Sequence, residues 1–320
     1  MGSMSPISVV IPSWNCLADL RVCLQSVDAQ GPVAVPVVVD NGSTDGSVEF
    51  LESEGIAHVA LPNNFGFAAA VNRGLASAKT PFVMVLNADA VLDDGCVAHL
   101  AAALAADQCL GGVQPVILQL KPGPPTAAEG REKVIYSLGQ ALSRDGRAFE
   151  LGAGDQLAEP ALPAHEVFGV CGAACLMRRE MLEAVAGYDE RYFAFYEDVD
   201  LNVRGRVAGW RFAVEPRAVA WHVGQVAWRS GFARPAEENA RLVARNRLAT
   251  QVKFMSARSI PRIAIVEAGA IARAAKQRRL GATVAGKLAS LRWLPQLLRE
   301  RRAMRAAGDP GLARAWLGRD

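Results

Sequence analysis

The chain has 320 residues, 51% apolar and 21% charged, with a net charge of only +3. That length holds one large domain, or one domain with an appendage, and the composition excludes a mostly disordered chain. No uninterrupted apolar run reaches the roughly 18 residues a spanning helix needs, which argues against a lumenal enzyme on a membrane stalk.

The start lacks the basic flank and long apolar stretch of a signal peptide, and Met1–Ser3 reads as a cloning scar ahead of a native Met4. Six cysteines (Cys16, Cys23, Cys96, Cys109, Cys171 and Cys175) include no C-x-x-C pair, and no histidine sits at zinc-ligand spacing. They read as reduced structural thiols of a cytosolic protein rather than as disulfides or a zinc site.

Ile7 to Ile11 is a β-branched run closed by Pro12, and Leu17 to Val27 has helical periodicity. Val35 to Val39 predicts a second strand ended by Asp40-Asn41-Gly42, followed by a short helix over Gly46 to Glu54. His58 to Leu61, Phe67 to Ala78 and Phe82 to Leu86 predict strand, helix and strand. Strands that alternate with helices and are apolar throughout imply a parallel sheet covered on both faces. Residues 119 to 165 accumulate Gly, Pro and polar residues and read as an excursion from the sheet, a substrate-facing loop or small hairpin. Val167 to Met177 predicts one strand, Arg179 to Ala186 and Val199 to Ala208 helices, Arg211 to Val214 and Ala218 to His222 short strands, and 236 to 254 a helix. Beyond Pro261 the pattern is amphipathic and Arg-rich to about residue 306, with Leu291, Leu294, Leu297 and Leu298 on one face. Residues 255 to 320 carry fourteen Lys or Arg and four acids, which leaves 21 basic and 28 acidic residues in the body. An acidic body with a basic tail points to an anionic partner for the tail. An ordinary helical pair packed on the body with a solvated Arg face accounts for the pattern equally well.

In open α/β sheets ligands gather at the C-terminal strand ends. Here those ends read Pro12-Ser13-Trp14-Asn15, Asp40 to Asp45, Asn63-Asn64-Phe65-Gly66 and Asn87-Ala88-Asp89. Turn chemistry explains part of each loop, but four such loops on one edge favour a site. Neither a G-x-G-x-x-G nor a Walker A sequence follows the first strand, which disfavours a nicotinamide enzyme and a P-loop NTPase. Asp40 is placed to accept hydrogen bonds from a base N–H or ribose hydroxyls. Asp89, fixed after a buried strand, is placed to hold a divalent cation on a diphosphate. Residues 192 to 200, Tyr-Phe-Ala-Phe-Tyr-Glu-Asp-Val-Asp, crowd three carboxylates after an aromatic cluster. Such crowding raises a carboxylate's pKa and suits a general base, although acids at a helix start are also what capping favours. His222 matters only if the fold brings it to Asp89.

The ordered set comprises Ile-Pro-Ser-Trp-Asn (11–15), Val-Asp-Asn-Gly-Ser-Thr-Asp-Gly (39–46), Asn-Asn-Phe-Gly-Phe-Ala (63–68), Asn72-Arg73-Gly74, Leu-Asn-Ala-Asp (86–89), Gly172-Ala173-Ala174, Phe-Tyr-Glu-Asp-Val-Asp-Leu (195–201), Ala208-Gly209-Trp210, His222 and Arg245-Asn246. It resembles family 2 inverting glycosyltransferases of the GT-A fold, and within them the rhamnosyltransferase-like enzymes of bacterial surface polysaccharide synthesis. The match covers about residues 6 to 254. The resemblance implies a Rossmann-like, mainly parallel mixed sheet flanked by helices. A catalytic domain would span 4–254, divided into a nucleotide-sugar half (1–118), a variable excursion (119–166) and an acceptor and catalytic half (167–254), with a basic helical extension over 255–320. It implies that Asp198 deprotonates the acceptor hydroxyl and that Glu197 supports the acceptor site. Asp40 would contact the base, while Pro12, Asn15, Asn41, Asn64 and Arg73 would line the donor pocket. Asp89 would ligate Mg²⁺ or Mn²⁺, with His222 as a further ligand. Asn87 offers only a neutral amide oxygen where many relatives have a second Asp, so weak metal affinity is expected. The implied partners are a dTDP- or UDP-sugar, rhamnose first and hexoses behind it, and a glycan or polyprenyl-linked acceptor. The implied setting is the cytoplasm, at the inner face of the membrane if the tail docks there. A catalytically silent glycan-binding or scaffolding relative is the alternative of another class. The acidic body and the lack of an aromatic-basic stripe argue against a nucleic-acid partner.

Overall fold

The computed structural model describes residues 5–121, 130–157, 164–224 and 236–307. The reading of Met1–Ser3, parts of the excursion and the end of the basic tail lie outside the described residues.

Strands β1 (Ile7–Ser13), β2 (Ala34–Asp40), β3 (His58–Ala60) and β4 (Phe82–Leu86) are parallel and stand in the order β3-β2-β1-β4. Helices α1 (Leu17–Asp28), α2 (Ser47–Ser53) and α3 (Phe67–Ser77) connect them. All seven agree with the sequence reading to within two residues. The strands work because their alternate residues serve both faces. Ile7, Val9 and Ile11 join Leu20, Cys23 and Val27 of α1 in one core, while Val10 joins Ala68 and Val71 of α3 in the other. At Gly74 of α3 a Cβ would be driven into Val10, so the helix lies close on the sheet.

The second half departs from the reading. After β4 come β5 (Ala90–Leu92), α4 (Cys96–Ala106) and β6 (Leu110–Leu120), none of them anticipated. The excursion partly rejoins the main sheet, because β7 (Arg131–Ser137) pairs with β6, while β8 (Gln140–Leu142) and β9 (Ala148–Glu150) form a separate hairpin. The single strand expected over Val167 to Met177 is two, β10 (His165–Val167) and β11 (Ala174–Arg178). Between them side chains replace the ladder: the N–H groups of Val170, Cys171 and Gly172 donate to Asn202, Gln114 and Asp198. The two short strands expected over 211–222 are one, β12 (Arg211–His222), with an irregularity between Glu215 and Val219 where Pro216 has no N–H to give. β11 lies antiparallel between β4 and β6, and β12 runs parallel to β6 and antiparallel to β5 and β10. α5 (Arg179–Ala184) and α6 (Glu197–Val207) complete the flanking layer. All six cysteines are free thiols, and Cys23, Cys96, Cys171 and Cys175 are buried.

The C-terminal helices are α7 (Ala236–Phe254), α8 (Ile260–Lys276), α9 (Leu280–Leu291) and α10 (Leu294–Ala307). α9 and α10 pack on α7. A Cβ at Gly286 would be driven into the Arg241 carbonyl, Leu297 is buried, and Arg245 stacks 4.7 Å over Trp293. Glu267 of α8 pairs with Arg247 of α7 and Lys287 of α9. The apolar face expected across Leu291 to Leu298 is broken by the α9–α10 turn: Leu297 points inward while Leu291 and Leu298 are exposed. Among the described residues, no helix is long and apolar enough to cross a membrane.

Candidate active site

The loop after β2 is built by its own side chains. Asp40, buried at the strand end, takes the N–H groups of Gly42 and Ser43 on Oδ2 at 3.2 and 2.9 Å. Its Oδ1 is buried and meets no partner among the described residues. Asn15, at a φ of 50°, accepts the Thr44 N–H at 2.7 Å. Asn41 donates to Asn64 Oδ1 and the Gly66 carbonyl and accepts the Phe65 N–H. Asp45 takes the first N–H of α1 on one oxygen and the Ser47 hydroxyl on the other, tying the starts of two helices together. Asn15, Asn41 and Asn64 thus hold the loops that carry Asp40. Arg73 lies on α3, is 55% exposed and reaches Glu190 at 3.4 Å.

Asn87-Ala88-Asp89 leaves β4 and enters β5, whose ladder with β12 sets His222 opposite Ala90. This register brings His222 to Asp89 across 133 residues of chain. His222 Nε2 lies 3.1 Å from both Asp89 Oδ1 and Asn87 Nδ2. Asn87 Oδ1 is buried and meets no partner among the described residues. Burial pushes the Asp89 carboxyl up, but His222 and the N–H groups of Asp89 and Gly224 more than offset it, so its pKa lies below the ordinary carboxylate value. Asp19, on the first turn of α1, is pushed up to about 6 by burial and by the Asp89 charge. The Asp89 carboxylate and the His222 imidazole therefore meet beside the Asn87 amide, whose oxygen is unpartnered among the described residues, and beside further acidic charge; with that amide oxygen turned inward the three side chains are a donor set that fits a divalent cation.

The third part precedes α6. Phe193, Phe195 and Tyr196 all have left-handed φ values of 66 to 69°. Such strain in bulky residues persists only where the surroundings enforce it. Asn246 of α7 enforces it, with Nδ2 2.7–2.8 Å from the carbonyls of Tyr192, Ala194 and Phe195, and Arg245 adds bonds to Arg191 and Tyr192. The turn delivers Glu197 and Asp198 to the cavity wall. Asp198 Oδ1 accepts the Val199 N–H at 2.8 Å; Oδ2 accepts Gly172 N–H at 3.1 Å and Gln140 Nε2 at 2.7 Å. A carboxylate offers about four acceptor positions, so room remains for a substrate hydroxyl. Burial raises the Asp198 pKa, and hydrogen bonds from Gly172, Val199 and Gln140 recover only part of the shift. Asp200, the third acid of the cluster, is instead buried in ion pairs with Lys253 and Arg204.

A cavity of about 600 Å³ joins these parts: Pro12, Asn87, Asp89, Glu197, Asp198 and His222 line it. Asn15, Asp40, Asn41, Asn64 and Arg73 are not in its lining. The Asn87 N–H donates to the Ala173 carbonyl, one residue from the Gly172 N–H that holds Asp198, so a single strut spans both walls. The sequence reading missed Tyr136, Gln140 and Glu150, which reach the cavity from β7, β8 and β9. They come from the segment with the weakest periodicity, and no motif marks them. Glu150, Cys171 and Asp198 present ligating atoms within 4.8 Å of one another. Those carboxylate oxygens already accept N–H and O–H donors, and burial raises the Cys171 thiol well above its ordinary value, so this cluster suits protons better than a cation.

A rigid sheet edge thus sets Asn87, Asp89 and His222 opposite the Asp198 carboxylate in one cavity. The chain belongs to glycosyl transferase family 2, whose family model matches residues 8–186. It is 30% identical over 240 residues to the N-acetylglucosaminyl-diphospho-decaprenol L-rhamnosyltransferase of Mycobacterium tuberculosis, a match covering 69% of this chain and 76% of that protein. It is 37% identical over 94 residues to the uncharacterized glycosyltransferase YibD of Escherichia coli, covering 28% of this chain and only 27% of that protein. The crystal structure of GalNAc-T7 with UDP, GalNAc and Mn²⁺ superposes with a TM-score of 0.56 at 16% identity, over 68% of this chain and 43% of that one, which shows the GT-A fold.

Asn246→Ala removes the donor shared by three carbonyls of the left-handed turn. It is expected to destabilise the protein by about 3 kcal/mol, read as a lower urea midpoint. An unchanged midpoint contradicts the clamp.

Proposed function

We propose that the chain is an inverting glycosyltransferase that moves a sugar from a nucleoside diphosphate to a hydroxyl of a glycan or polyprenyl-linked acceptor, with rhamnose from dTDP-rhamnose as the favoured donor sugar. The observation that carries this reading is one cavity with Asn87, Asp89 and His222 on one side and Asp198 on the other. The rhamnosyl preference is supported by the mycobacterial relative. The domain organisation proposed with it is the one expected from the sequence, catalysis in 4–254 and a helical extension beyond.

Asp40 Oδ1, which meets no donor among the described residues, receives an N–H of the nucleobase. Pro12 and Asn87 contact the donor directly, while Asn15, Asn41 and Asn64 shape its loops. Arg73 reaches it only by leaving Glu190. A divalent cation held by Asn87, Asp89 and His222 supplies positive charge for the departing diphosphate, and the imidazole favours Mn²⁺ over the harder Mg²⁺. Asp198 accepts the acceptor's proton on its free lone pair, with Glu197 beside it orienting the acceptor. The hydroxyl oxygen then bonds to the anomeric carbon as the bond to the diphosphate oxygen breaks on the opposite face. The nucleoside diphosphate leaves with that electron pair, and the configuration inverts.

The membrane is the proposed meeting place with a lipid-linked acceptor. Ile265 and Ala268 of α8 and Leu280, Val284, Leu288 and Leu291 of α9 form exposed apolar stripes, with Arg273 and Lys276 exposed on α8, Arg278 in the turn between the helices and Arg292 just past the end of α9. Apolar stripes bordered by cations suit an anionic bilayer surface.

Nucleoside diphosphate release from a panel of dTDP- and UDP-sugars, with Mg²⁺ or Mn²⁺ and acceptor, tests the chemistry. One donor is expected to be turned over, EDTA to stop it, and Asp198→Asn to cut turnover by at least a hundredfold while leaving donor binding nearly intact. Near-normal turnover by the variant sinks the assignment of the base. In vesicle flotation the full chain is expected to rise with phosphatidylglycerol vesicles but not with phosphatidylcholine. The Ile265→Asp, Leu288→Asp double variant is expected to lose severalfold, and equal flotation of wild type and variant argues against the membrane role.

A further inference from the structure

Glu150 ends β9 on the cavity wall, and its surroundings tie it to Asp198 rather than to any cation. Gln140 Nε2 donates to Glu150 Oε1 at 2.9 Å and to Asp198 Oδ2 at 2.7 Å, so one amide nitrogen spans two carboxylates. Gln140 is not free to turn away, because its Oε1 accepts the Asn202 amide at 2.8 Å and Asn202 is itself pinned to the Val170 backbone. The other Glu150 oxygen accepts the Ser137 hydroxyl. The titratable groups that bear on the pair are Cys171, before β11, Cys175, on β11, Tyr136, on β7, and Tyr188, ahead of the 193–196 turn. Among the described residues no Lys or Arg forms an ion pair with Glu150.

Two carboxylates this close in a partly buried wall do not readily ionise together, and their protons leave in two steps that belong to the pair. Burial, and then the Asp198 charge, push Glu150 up to about 7.

Resting on the transferase reading above, we propose that Glu150 is a positioning residue for the base. Through Gln140 it forms with Asp198 a carboxylate pair that keeps one proton between them, and ionised Glu150 makes Asp198 the stronger proton acceptor. The reaction needs no further reactant. The acceptor O–H bond breaks, its proton goes to Asp198, and the pair returns that proton to solvent before the next turnover.

The test is the pH profile of kcat/KM for nucleoside diphosphate release from the donor that the wild type turns over in the panel above. The wild-type rate is expected to climb in two steps, the upper one near neutrality. Glu150→Gln is expected to lose the upper step, so that its acid limb moves to lower pH and its plateau falls about three- to tenfold. Glu150→Asp, which keeps the charge, is expected to retain the upper step, and this separates charge coupling from loss of fold. An active wild type whose profile shape is unchanged in Glu150→Gln overturns the inference alone. Release from no donor by the wild type overturns the transferase reading, and the inference with it.

Discussion

Lys253 enters the protein from the last turn of α7 and is 3% exposed. Its ammonium meets Asp200 at 2.6 Å and Asp189 and Glu300 at 3.3 Å, while Arg191 bridges Asp189 to Glu300 and Arg204 takes the second oxygen of Asp200. This network joins the segment before the 193–196 turn, the first turn of α6, α7 and α10. Asp189 is pushed up by burial but pulled further down, to about 2, by Arg191 and Lys253. Buried ion pairs add little net stability over apolar packing, yet removing one partner costs about 3–5 kcal/mol. What the network supplies here is location. It anchors the elements on both sides of residues 193–196, and Asn246 then holds that turn in a conformation its residues do not favour. Glu197 and Asp198 reach the cavity as a consequence, and the C-terminal helices are part of the machinery that aims them.

The opposite wall is rigid for a different reason. Asp89 and His222 sit at the ends of β5 and β12, paired in the sheet, and need no loop to find each other. The strut of residues 171–173 fixes the distance between the walls by bonding Asn87 on one side and Asp198 on the other. Preorganised charge of this kind is worth most where water is excluded, since nothing need reorganise as the leaving group gains charge.

The first half of the fold was legible because parallel strands are apolar throughout and end in sharp punctuation, as at Pro12, Asp40-Asn41-Gly42 and Pro62. β6 was hidden by its own content: Gly111, Gly112, buried Gln114 and Pro115 break the apolar run, and pairing with β12, β11 and β7 makes it a strand. The segment 168–173 reads as strand because it is apolar, but side chains of Asn202, Gln114 and Asp198 take its N–H groups. Asp89 and Asp198 were legible as candidates from motif position, while the approach of His222 depends on a ladder between distant strands. Of three acids in four residues, nothing local distinguishes Asp200, which faces Lys253, from Asp198, which faces the cavity. Glu150 carried no signal, since its importance comes from Gln140 and Asp198, ten and 48 residues away in sequence. The donor-side residues divide in the same way. Asn41 looks like a ligand contact in sequence, yet its amide is occupied in joining two loops.

The proposed chemistry requires a cation at one cluster of the cavity and a proton at the other. Anomalous scattering at the manganese edge, from crystals grown with Mn²⁺ and a nucleoside diphosphate, distinguishes them directly. The predicted result is a single peak between Asp89 and His222, next to the diphosphate. A peak among Glu150, Cys171 and Asp198, or nucleotide bound with no manganese at Asp89, would contradict it.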